Sequence, residues 1–223
     1  MPATDTPMTI VVAAGELDPT DLRLLDRADL VIAADGGAAL LDHHGRTPDL
    51  LVGDLDSVEP RLVERLVAAG TRVERHPVDK DASDTELAVA AAMSSPIGPI
   101  RLLGAFGGGR LDHELANVFL LADPALAGRD IRAVRGASTV RAFHSGGRLA
   151  IDAPRGSLVT LLPVRGDVTG VTTEGLRWSL QDAVLRFGRS RGLSNEVTGE
   201  PASIRIGEGT LLVIETRREG GTQ

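Results

Sequence analysis

The sequence contains no cysteine, and aromatic residues make up only 2% of it. Without cysteine the chain can form no disulfide, no thiolate nucleophile and no thiolate zinc site, so any bound metal must take oxygen or imidazole ligands. This restriction favours hard cations such as Mg²⁺. A net charge of −7 and few aromatic side chains argue against a nucleic-acid partner, which needs basic surface and stacking rings. The acidic balance suits a metal or a cationic small molecule, and it is also typical of solubilising surface.

The sequence also lacks any apolar run of membrane-spanning length, so we expect no membrane partner. Residues 1–16 lack the basic region and small-residue cleavage site of a signal peptide, and we therefore expect a cytoplasmic protein. A length of 223 residues with 42% hydrophobic content is enough for one large domain or two modest ones.

Two regions differ in their hydrophobic pattern. Up to about residue 135, strand-length apolar runs alternate with segments of helical periodicity, which predicts a parallel sheet covered by helices. Six strands are predicted there, beginning at Thr9, Leu30, Asp49, Thr71, Ile100 and Asp130. After Gly136, short alternating runs such as "STVRAF", "GRLAI", "SLVTLL", "DAVLRF", "ASIRI" and "TLLVIET" are separated by glycine-containing turns.

These patterns define the predicted fold class and its boundaries. Residues 1–136 are expected to form an α/β domain with a mostly parallel six-stranded sheet. Residues 137–218 are expected to form an all-β, sandwich-like domain, and residues 219–223 a disordered tail.

Polar and glycine-rich clusters follow the predicted strands of the first region. The loops after the first five strands contain "AGE", "DGG", "GDLDS", "DKDASDTE" and "GAFGGGR". Because ligands of open parallel sheets bind beyond the carboxyl ends of the strands, all of these loops fall on the ligand-binding edge. The sequence therefore predicts a functional site at that edge.

The loop "GDLDS" has two aspartates, Asp54 and Asp56, one residue apart. In an extended segment their carboxylates would point the same way and would repel each other unless a cation lay between them. A divalent metal, most naturally Mg²⁺, would relieve this repulsion. The alternative is an Asx turn followed by a helix N-cap at Ser57.

The loop "DKDASDTE" has a structural and a functional interpretation. Ser83 with Glu86 three residues later is a capping box, and Asp84 at the first helical position complements the helix dipole. Neither feature explains Lys80 and Asp81, which precede the helix. A lysine beside carboxylates is a common way to hold phosphates next to a metal, which favours a functional role.

The stretch "GAFGGGRLDH" follows a strand and opens a helix. Its glycines, including Gly108 and Gly109, permit close backbone approach, and the helix N-terminus with Arg110 would attract phosphate. Asp112 and His113 in the first turn are open to a plainer interpretation, as a dipole partner and a surface histidine. Together with Asp35 of "DGG", these loops contain the groups used in Mg²⁺-assisted phosphoryl or nucleotidyl transfer.

The ordered set of "DGG", "PDLLVGDLDS", "KDASDTE" and "GGGRLDH", followed by "GLRW" and "RGLSNEVTGE", resembles the bacterial type of thiamine pyrophosphokinase, also called thiamine diphosphokinase. The resemblance extends from about residue 9 to residue 216. It implies an enzyme that transfers pyrophosphate from ATP to the hydroxyl of thiamine with Mg²⁺, giving thiamine diphosphate and AMP. It further implies a homodimer with an active site between subunits.

The resemblance also assigns residues by position. The metal ligands it implies are Asp54, Asp56 and Asp84, and Lys80 and Arg110 join them as catalytic residues. The nucleotide contacts it implies are Asp35, Gly36, Gly37, Asp81, Gly108, Gly109, Asp112 and His113. The substrate contacts it implies are Ser57, Ser194 and Asn195, the last two in a C-terminal segment that approaches thiamine. Trp178 of "GLRW" is either a half-buried sandwich residue or a ligand contact.

Two other functions are compatible with parts of this pattern. The first is a Mg²⁺-dependent phosphohydrolase with an Asp-x-Asp nucleophile, although such a nucleophile normally follows the first strand. The second is a nucleotide-binding regulatory module that has lost catalysis, against which the intact carboxylate set argues.

Overall fold

A computed structural model describes residues 7–218 of the chain, and the predicted tail at residues 219–223 lies outside them. The chain divides into two compact units. The first unit comprises the residues up to Leu120 with Gly128–Gly136, and the second comprises Leu121–Ala127 with the residues from Ala137 onward. No helix within residues 7–218 has the length and apolar character that crossing a membrane requires.

The first unit alternates strands and helices as the sequence predicts. Its strands are β1 (Thr9–Val12), β2 (Leu30–Ala34), β3 (Leu50–Gly53), β4 (Arg72–Arg75), β5 (Ile100–Leu103) and β6 (Ile131–Arg135). The helices between them are α1 (Leu22–Leu25), α2 (Gly37–His43), α3 (Pro60–Ala68), α4 (Asp84–Ser94) and α5 (Leu111–Leu121). All pairings among these six strands are parallel, in the order β4-β3-β2-β1-β5-β6.

Strand β1 lies at the point where the strand order reverses. Its last residue, Val12, is in register with Ala33 of β2 on one side and with Leu103 of β5 on the other. The loops that leave these three strands therefore begin side by side, which is the usual position of a ligand site in such a sheet.

The core of the first unit explains why its strands were predictable. Every residue of β1 is buried, and β3 and β5 are nearly as apolar, because helices cover both faces of a parallel sheet. Helix α3 buries Leu62 and Leu66 in the same core. Strand β4 differs, since it pairs only with β3 and carries exposed charged residues, as is common at a sheet edge.

The second unit is built from antiparallel strands. They are β7 (Ser138–His144), β8 (Arg148–Ala150), β9 (Leu158–Glu174), β10 (Ala183–Leu185), β11 (Asn195–Glu196), β12 (Ser203–Arg205) and β13 (Glu208–Thr216). A short 3₁₀ helix, Pro124–Leu126, also belongs to this unit. The predicted α/β region and C-terminal β region are thus confirmed, but the strands of the chain form a mixed arrangement rather than only a six-stranded parallel sheet. The sandwich-like layering remains a prediction.

Strand β9 is much longer than the sequence indicates. Only its beginning, "SLVTLL", reads as a strand, because Pro163, Gly166 and Gly170 are typical strand breakers. The strand continues past them because β13 pairs with its first half and β10 and β12 pair with its second half. The irregularity is absorbed locally at Arg165 and Gly166, which have φ values of 67° and 127°.

Candidate active site

The loops at the carboxyl edge of the first unit surround a cavity of about 380 Å³. The predicted site residues that line it are Asp35, Asp54, Asp56, Ser57, Asp84, Gly108, Arg110 and His113. Lys80 forms ion pairs with two of these carboxylates. Gly36 and Gly37 lie at the start of α2, Gly109 and Asp112 are next in sequence to lining residues, and Asp81 lies two residues before the lining residue Ser83. Ser194 and Asn195 belong to the second unit.

Three carboxylates lie together in the cavity. Asp35, Asp54 and Asp84 each place one oxygen within 4.8 Å of the others. Asp35 is only 7% exposed, and within residues 7–218 its Oδ1 has no hydrogen-bond partner. Burial raises the pKa of Asp35, and the negative charges of Asp84 and Asp54 raise it further. Such a cluster is costly in isolation, so its chemistry favours an incoming cation.

Gly53, the last residue of β3, makes this cluster sterically possible. A Cβ at this position would lie 3.0 Å from the Cβ of Asp35 and 3.0 Å from Oδ1 of Asp84. Its φ of 150° is also rare for a residue with a side chain. Glycine therefore allows two carboxylates to pack against the strand end.

Asp56 is not part of the three-carboxylate cluster. The prediction of an extended segment from Asp54 to Asp56 is wrong, because Leu55 has a left-handed φ of 66°. The chain instead forms a turn in which the Asp56 N–H donates to Oδ1 of Asp54 at 3.2 Å. Oδ1 of Asp56 accepts a hydrogen bond from the Ser57 hydroxyl at 3.0 Å. The Asx turn of the structural alternative is thus present.

The N-cap proposed for Ser57 is absent, because Glu59 caps α3 and makes no side-chain capping bond. The other predicted cap is confirmed. Helix α4 begins at Asp84, and the Ser83 hydroxyl accepts a hydrogen bond from the Glu86 N–H at 3.2 Å. This cap fixes the first turn of α4, so that Asp84 projects into the cavity from the positive end of the helix dipole.

Lys80 bridges two of the three clustered carboxylates. Its Nζ lies 2.6 Å from Oδ2 of Asp54 and 3.1 Å from Oδ1 of Asp84. The hydrogen bond to Lys80 lowers the pKa of Asp54, and the same bond raises the pKa of Lys80. Lys80 is therefore charged at neutral pH and balances part of the negative charge.

The glycine-rich loop between β5 and α5 forms another wall. Three consecutive glycines, Gly107–Gly109, have φ values between 78° and 80°, a left-handed conformation that residues with side chains seldom adopt. Next to them, Arg110 makes two hydrogen bonds to the carboxylate of Asp112, at 2.7 Å and 3.0 Å. The exposed guanidinium lowers the pKa of Asp112.

Asn117 is a lining residue that sequence reasoning missed. It is buried within α5, and its Nδ2 donates to the carbonyl of Ala105 at 2.9 Å, which anchors the start of the glycine-rich loop. The sequence signal for Asn117 was its position as a polar residue within the otherwise apolar stretch "LANVFLL". The same loop is also held from β1, since the Gly15 N–H donates to the Gly104 carbonyl at 2.8 Å.

In the second unit, Asn195 organises the loop that carries Trp178. Its Oδ1 accepts from the Trp178 N–H at 3.0 Å, and its Nδ2 donates to the Trp178 carbonyl at 2.8 Å. Ser194 is exposed and has a left-handed φ of 54°. Trp178 is 57% exposed with the Arg177 guanidinium over its ring, which disfavours the half-buried interpretation of this residue.

The donor set of the cavity fits a hard divalent cation. The three clustered ligands are carboxylates, and two of them, Asp35 and Asp84, have a buried Oδ1 without a hydrogen-bond partner among residues 7–218. Mg²⁺ prefers such oxygen donors. The carboxylate donors therefore match the kind of ion expected from the sequence. Asp56 lines the same cavity and stays a predicted ligand.

Comparisons with known proteins match both halves of the chain. A family model described as "Thiamin pyrophosphokinase, catalytic domain" matches residues 22–133. A second model, "Thiamin pyrophosphokinase, vitamin B1 binding domain", matches residues 148–211.

Individual relatives carry the same name. The thiamine pyrophosphokinase of Bacillus subtilis is 25% identical over 211 residues, covering 93% of this chain and 98% of the relative. Thiamine pyrophosphokinase 1 of Oryza sativa is 29% identical over 220 residues, covering 87% of this chain and 81% of the relative. The crystal structure of the Bacillus subtilis protein aligns with a TM-score of 0.83, covering 95% of this chain and all of that one. The crystal structure of the Geobacillus thermodenitrificans protein is 29% identical in sequence and aligns with a TM-score of 0.78. The alignment covers 96% of this chain and 99% of that one.

Proposed function

The chain belongs to the thiamin pyrophosphokinase family of enzymes, and we propose that it transfers a pyrophosphoryl group from ATP to the hydroxyl of thiamine in a Mg²⁺-dependent reaction. The products are thiamine diphosphate and AMP. The observation that carries this proposal is the cluster of Asp35, Asp54 and Asp84 with Lys80, at the edge of a parallel sheet where ligands bind. We place the reaction in the cytoplasm, where ATP is available.

Asp35, Asp54 and Asp84 would hold the magnesium ion, with Asp56 as a further ligand from the same cavity. When bound, Mg²⁺ neutralises charge on the phosphates and helps to orient them. Asp35 extends the ligand set beyond the residues expected from sequence, and its unpartnered Oδ1 supports that extension.

The transfer forms a bond between the thiamine hydroxyl oxygen and the β-phosphorus. The bond from the β-phosphorus to the oxygen that bridges to the α-phosphorus breaks, and AMP leaves with that oxygen. The hydroxyl proton passes to a carboxylate of the cavity. Lys80 and Arg110 supply positive charge to the phosphates, and backbone N–H groups of the glycine-rich loop add hydrogen bonds.

The remaining nucleotide contacts proposed are Asp35, Gly36, Gly37, Asp81, Gly108, Gly109, Asp112 and His113. The thiazolium ring of thiamine carries a positive charge, and the first unit is acidic, with 20 acidic and 13 basic side chains among its described residues. This charge would attract thiamine. Ser57, Ser194 and Asn195 are the proposed thiamine contacts, and Asn195 would act by holding the loop of Trp178.

We also propose a homodimer. Helix α5 exposes Leu111, Leu115 and Phe119, which are spaced by four residues and therefore form one apolar stripe. The second unit exposes Phe187 and Leu193 in a segment rich in arginine, and its described residues carry 11 basic and 9 acidic side chains. An acidic surface with an apolar stripe on one copy complements a basic, apolar surface on another.

Sedimentation equilibrium tests the dimer. Leu115→Asp is expected to weaken self-association at least about tenfold, because it places a charge in an apolar interface. Val67→Asp changes another exposed apolar residue on a helix of the first unit and should leave association intact. A wild-type protein that sediments as a monomer at micromolar concentration would refute the homodimer.

The activity is tested by incubating purified protein with MgATP and thiamine and quantifying AMP and thiamine diphosphate by chromatography. Both products are expected in equal amounts. Asp54→Asn should abolish most of their formation, whereas Asp42→Asn, the same change in an exposed residue of α2, should not. Formation of inorganic phosphate with an aspartyl-phosphate on Asp54 or Asp56 would instead support the phosphohydrolase. Nucleotide binding without any product would support the regulatory module.

A further inference from the structure

Lys80 is the only lysine in the sequence, and the other 23 basic side chains besides histidine are arginines. We propose that the Lys80 ammonium serves as an internal substitute for the metal: it holds the Asp54–Asp84 pair in the nucleotide-free protein and leaves when metal and nucleotide bind together. This inference rests on the proposed function, because it concerns the same carboxylates.

The contacts of Lys80 are those of a cation that bridges two ligands. Its Nζ lies within 3.1 Å of an oxygen from each carboxylate, and its side chain is only 14% exposed. The side chains of Asp54 and Asp84 are 10% and 25% exposed, so little water is available to replace the ammonium. The single positive charge therefore screens repulsion that would otherwise act between the two aspartates.

The lysine and a divalent ion compete for the same carboxylates. Oxygen ligands lie at about 2.1 Å from Mg²⁺, so an ion bound to Asp54 and Asp84 would take the space between them. Two adjacent cations repel, and Lys80 would have to move away. The third carboxylate, Asp35, is not among the ion-pair partners of Lys80, and its Oδ1 has no hydrogen-bond partner. The ammonium thus pairs with two of the three carboxylates and leaves Oδ1 of Asp84 without a hydrogen bond within residues 7–218, and a divalent ion would contact all three.

The position of Lys80 in the chain makes its release possible. It lies between β4 and α4 in a segment without helix or strand, so its movement breaks no secondary structure. A lysine is a compact point charge on a flexible four-carbon chain, whereas the planar guanidinium of an arginine would hold carboxylates through paired hydrogen bonds. A lysine is therefore easier to displace, and its freed ammonium can bind phosphate.

One consequence is that metal and nucleotide binding are coupled. Without nucleotide, a metal must displace Lys80 from its two carboxylates, and the displaced ammonium gains no new anionic partner. With nucleotide, the displaced ammonium gains a phosphate partner. The site is therefore expected to bind free metal weakly and to bind metal tightly only when phosphates are present.

The test measures Mn²⁺ binding by electron paramagnetic resonance, with and without the non-cleavable α,β-methylene analogue of ATP. Lys80→Met keeps most of the length of the unbranched side chain and removes its charge. Without nucleotide, this variant is expected to bind Mn²⁺ at least about tenfold more tightly than the wild type, because a competing cation has been removed. Its affinity for the ATP analogue with Mn²⁺ is expected to fall about tenfold, because a phosphate partner has been lost.

Two controls separate competition from a general charge effect. Arg65→Met removes an exposed cation that pairs with Asp42, and it should leave Mn²⁺ binding unchanged. Lys80→Arg keeps the charge and should keep the weak binding of free Mn²⁺. Equal or weaker Mn²⁺ binding by Lys80→Met than by the wild type, in the absence of nucleotide, would overturn the substitute role while leaving the metal site intact.

Failure of the function itself has a different signature. If the wild type bound no Mn²⁺ even with the ATP analogue, both the proposed metal-dependent function and the proposed role of Lys80 would be refuted. A second measurement uses the single lysine directly, since lysine-selective ¹⁵N labelling yields one side-chain ammonium resonance. That resonance is expected to shift when metal and analogue are added together, and an unchanged resonance would contradict displacement.

Discussion

Each unit of this protein contains a poorly exposed cluster of charges, and the two clusters are built on opposite principles. In the second unit, Arg141 and Glu215 form an ion pair with side chains 9% and 4% exposed. Arg141 faces Glu215 and, at 3.9 Å, Oδ2 of Asp152, and its Nε has no hydrogen-bond partner among residues 7–218. Both oxygens of Glu215 are used. Oε1 accepts from Arg141 at 2.7 Å, and Oε2 accepts from the N–H groups of Asp152 and Ala153, each at 2.8 Å.

The cluster in the first unit is left incomplete. Two of its three carboxylates share one ammonium, and Oδ1 of Asp35 has no hydrogen-bond partner among residues 7–218. A carboxylate with both oxygens paired contributes to holding strands β7 and β13 in register, whereas a set of carboxylates with unpaired buried oxygens costs stability and is maintained where it binds something. Whether the buried carboxylate oxygens are paired, rather than burial itself, therefore separates the structural cluster from the cluster proposed to be functional.

The sharpest test of this contrast removes the fully paired carboxylate of Glu215. Glu215→Ala is expected to destabilise the second unit by about 3–5 kcal/mol, because Arg141 and two backbone N–H groups lose their buried acceptor. Urea unfolding followed by fluorescence measures this, since Trp178 is the only tryptophan and lies in this unit. Replacing both partners, as Arg141→Met with Glu215→Met, should restore only the part of the loss that comes from the unpaired Arg141 charge, because the N–H groups of Asp152 and Ala153 still lack their acceptor. A loss below about 1 kcal/mol for Glu215→Ala would mean that the pair is dispensable.

The corresponding change in the incomplete cluster should affect activity instead. Asp54→Asn is expected to lower kcat/KM by about 10²–10³-fold, since it removes a charge that we propose binds the metal. Stability should change by no more than about 1 kcal/mol, because repulsion from Asp35 and Asp84 is relieved as the contact with Lys80 weakens. Steady-state kinetics and thermal unfolding measure the two effects. If Asp54→Asn lowered stability as much as Glu215→Ala does, the two clusters would not differ in their contribution to stability, and the proposed contrast would be wrong.

Gly53→Ala tests whether the cluster depends on close packing at the end of β3. The added Cβ would lie 3.0 Å from Oδ1 of Asp84, and we expect about a tenfold loss of kcat/KM with a destabilisation of about 1–2 kcal/mol. Gly70→Ala is the matched control. Gly70 also has a positive φ, 103°, but no atom lies within 4 Å of its Cβ position, so backbone strain alone should leave activity intact. Equal activity losses in both variants would rule out the steric explanation.

The smallest expected effect is a gain in stability. Asp35→Asn should raise the melting temperature by about 2–4 °C at pH 7, a shift that corresponds to roughly 1 kcal/mol, because it removes a buried, repelled charge. The raised pKa of Asp35 means that the folded state holds its proton more tightly than the unfolded state, where the ordinary value is 3.8. The wild type therefore loses stability as pH rises through the interval above 3.8.

The advantage of Asp35→Asn should accordingly be full at pH 7 and shrink towards pH 4. Thermal unfolding at several pH values, compared with Asp42→Asn in the exposed part of α2, measures this dependence. An advantage that grew as the pH was lowered would contradict the assigned direction of the pKa shift.

Much of the first unit was predictable from sequence because its strands are buried on both faces. Continuous apolar runs such as "TIVV" and "IRLL" can be recognised without knowing their neighbours, and the cap at Ser83 depends only on residues three positions apart. The second half of β9 was not predictable, because Pro163 and Gly166 signal a break locally and the strand exists through its pairing with β13, β10 and β12.

The sequence by itself determined which kinds of groups the site contains and on which edge of the sheet they lie. Residue type and the alternation of strands and helices are local properties, and parallel strands carry their following loops to one edge. Only the tertiary structure decided which carboxylates meet. The left-handed Leu55 turns Asp56 out of the cluster, and Gly53 lets Asp35 and Asp84 approach from separate loops. Those distances depend on backbone angles and on contacts between distant segments, which spacing along the chain does not specify.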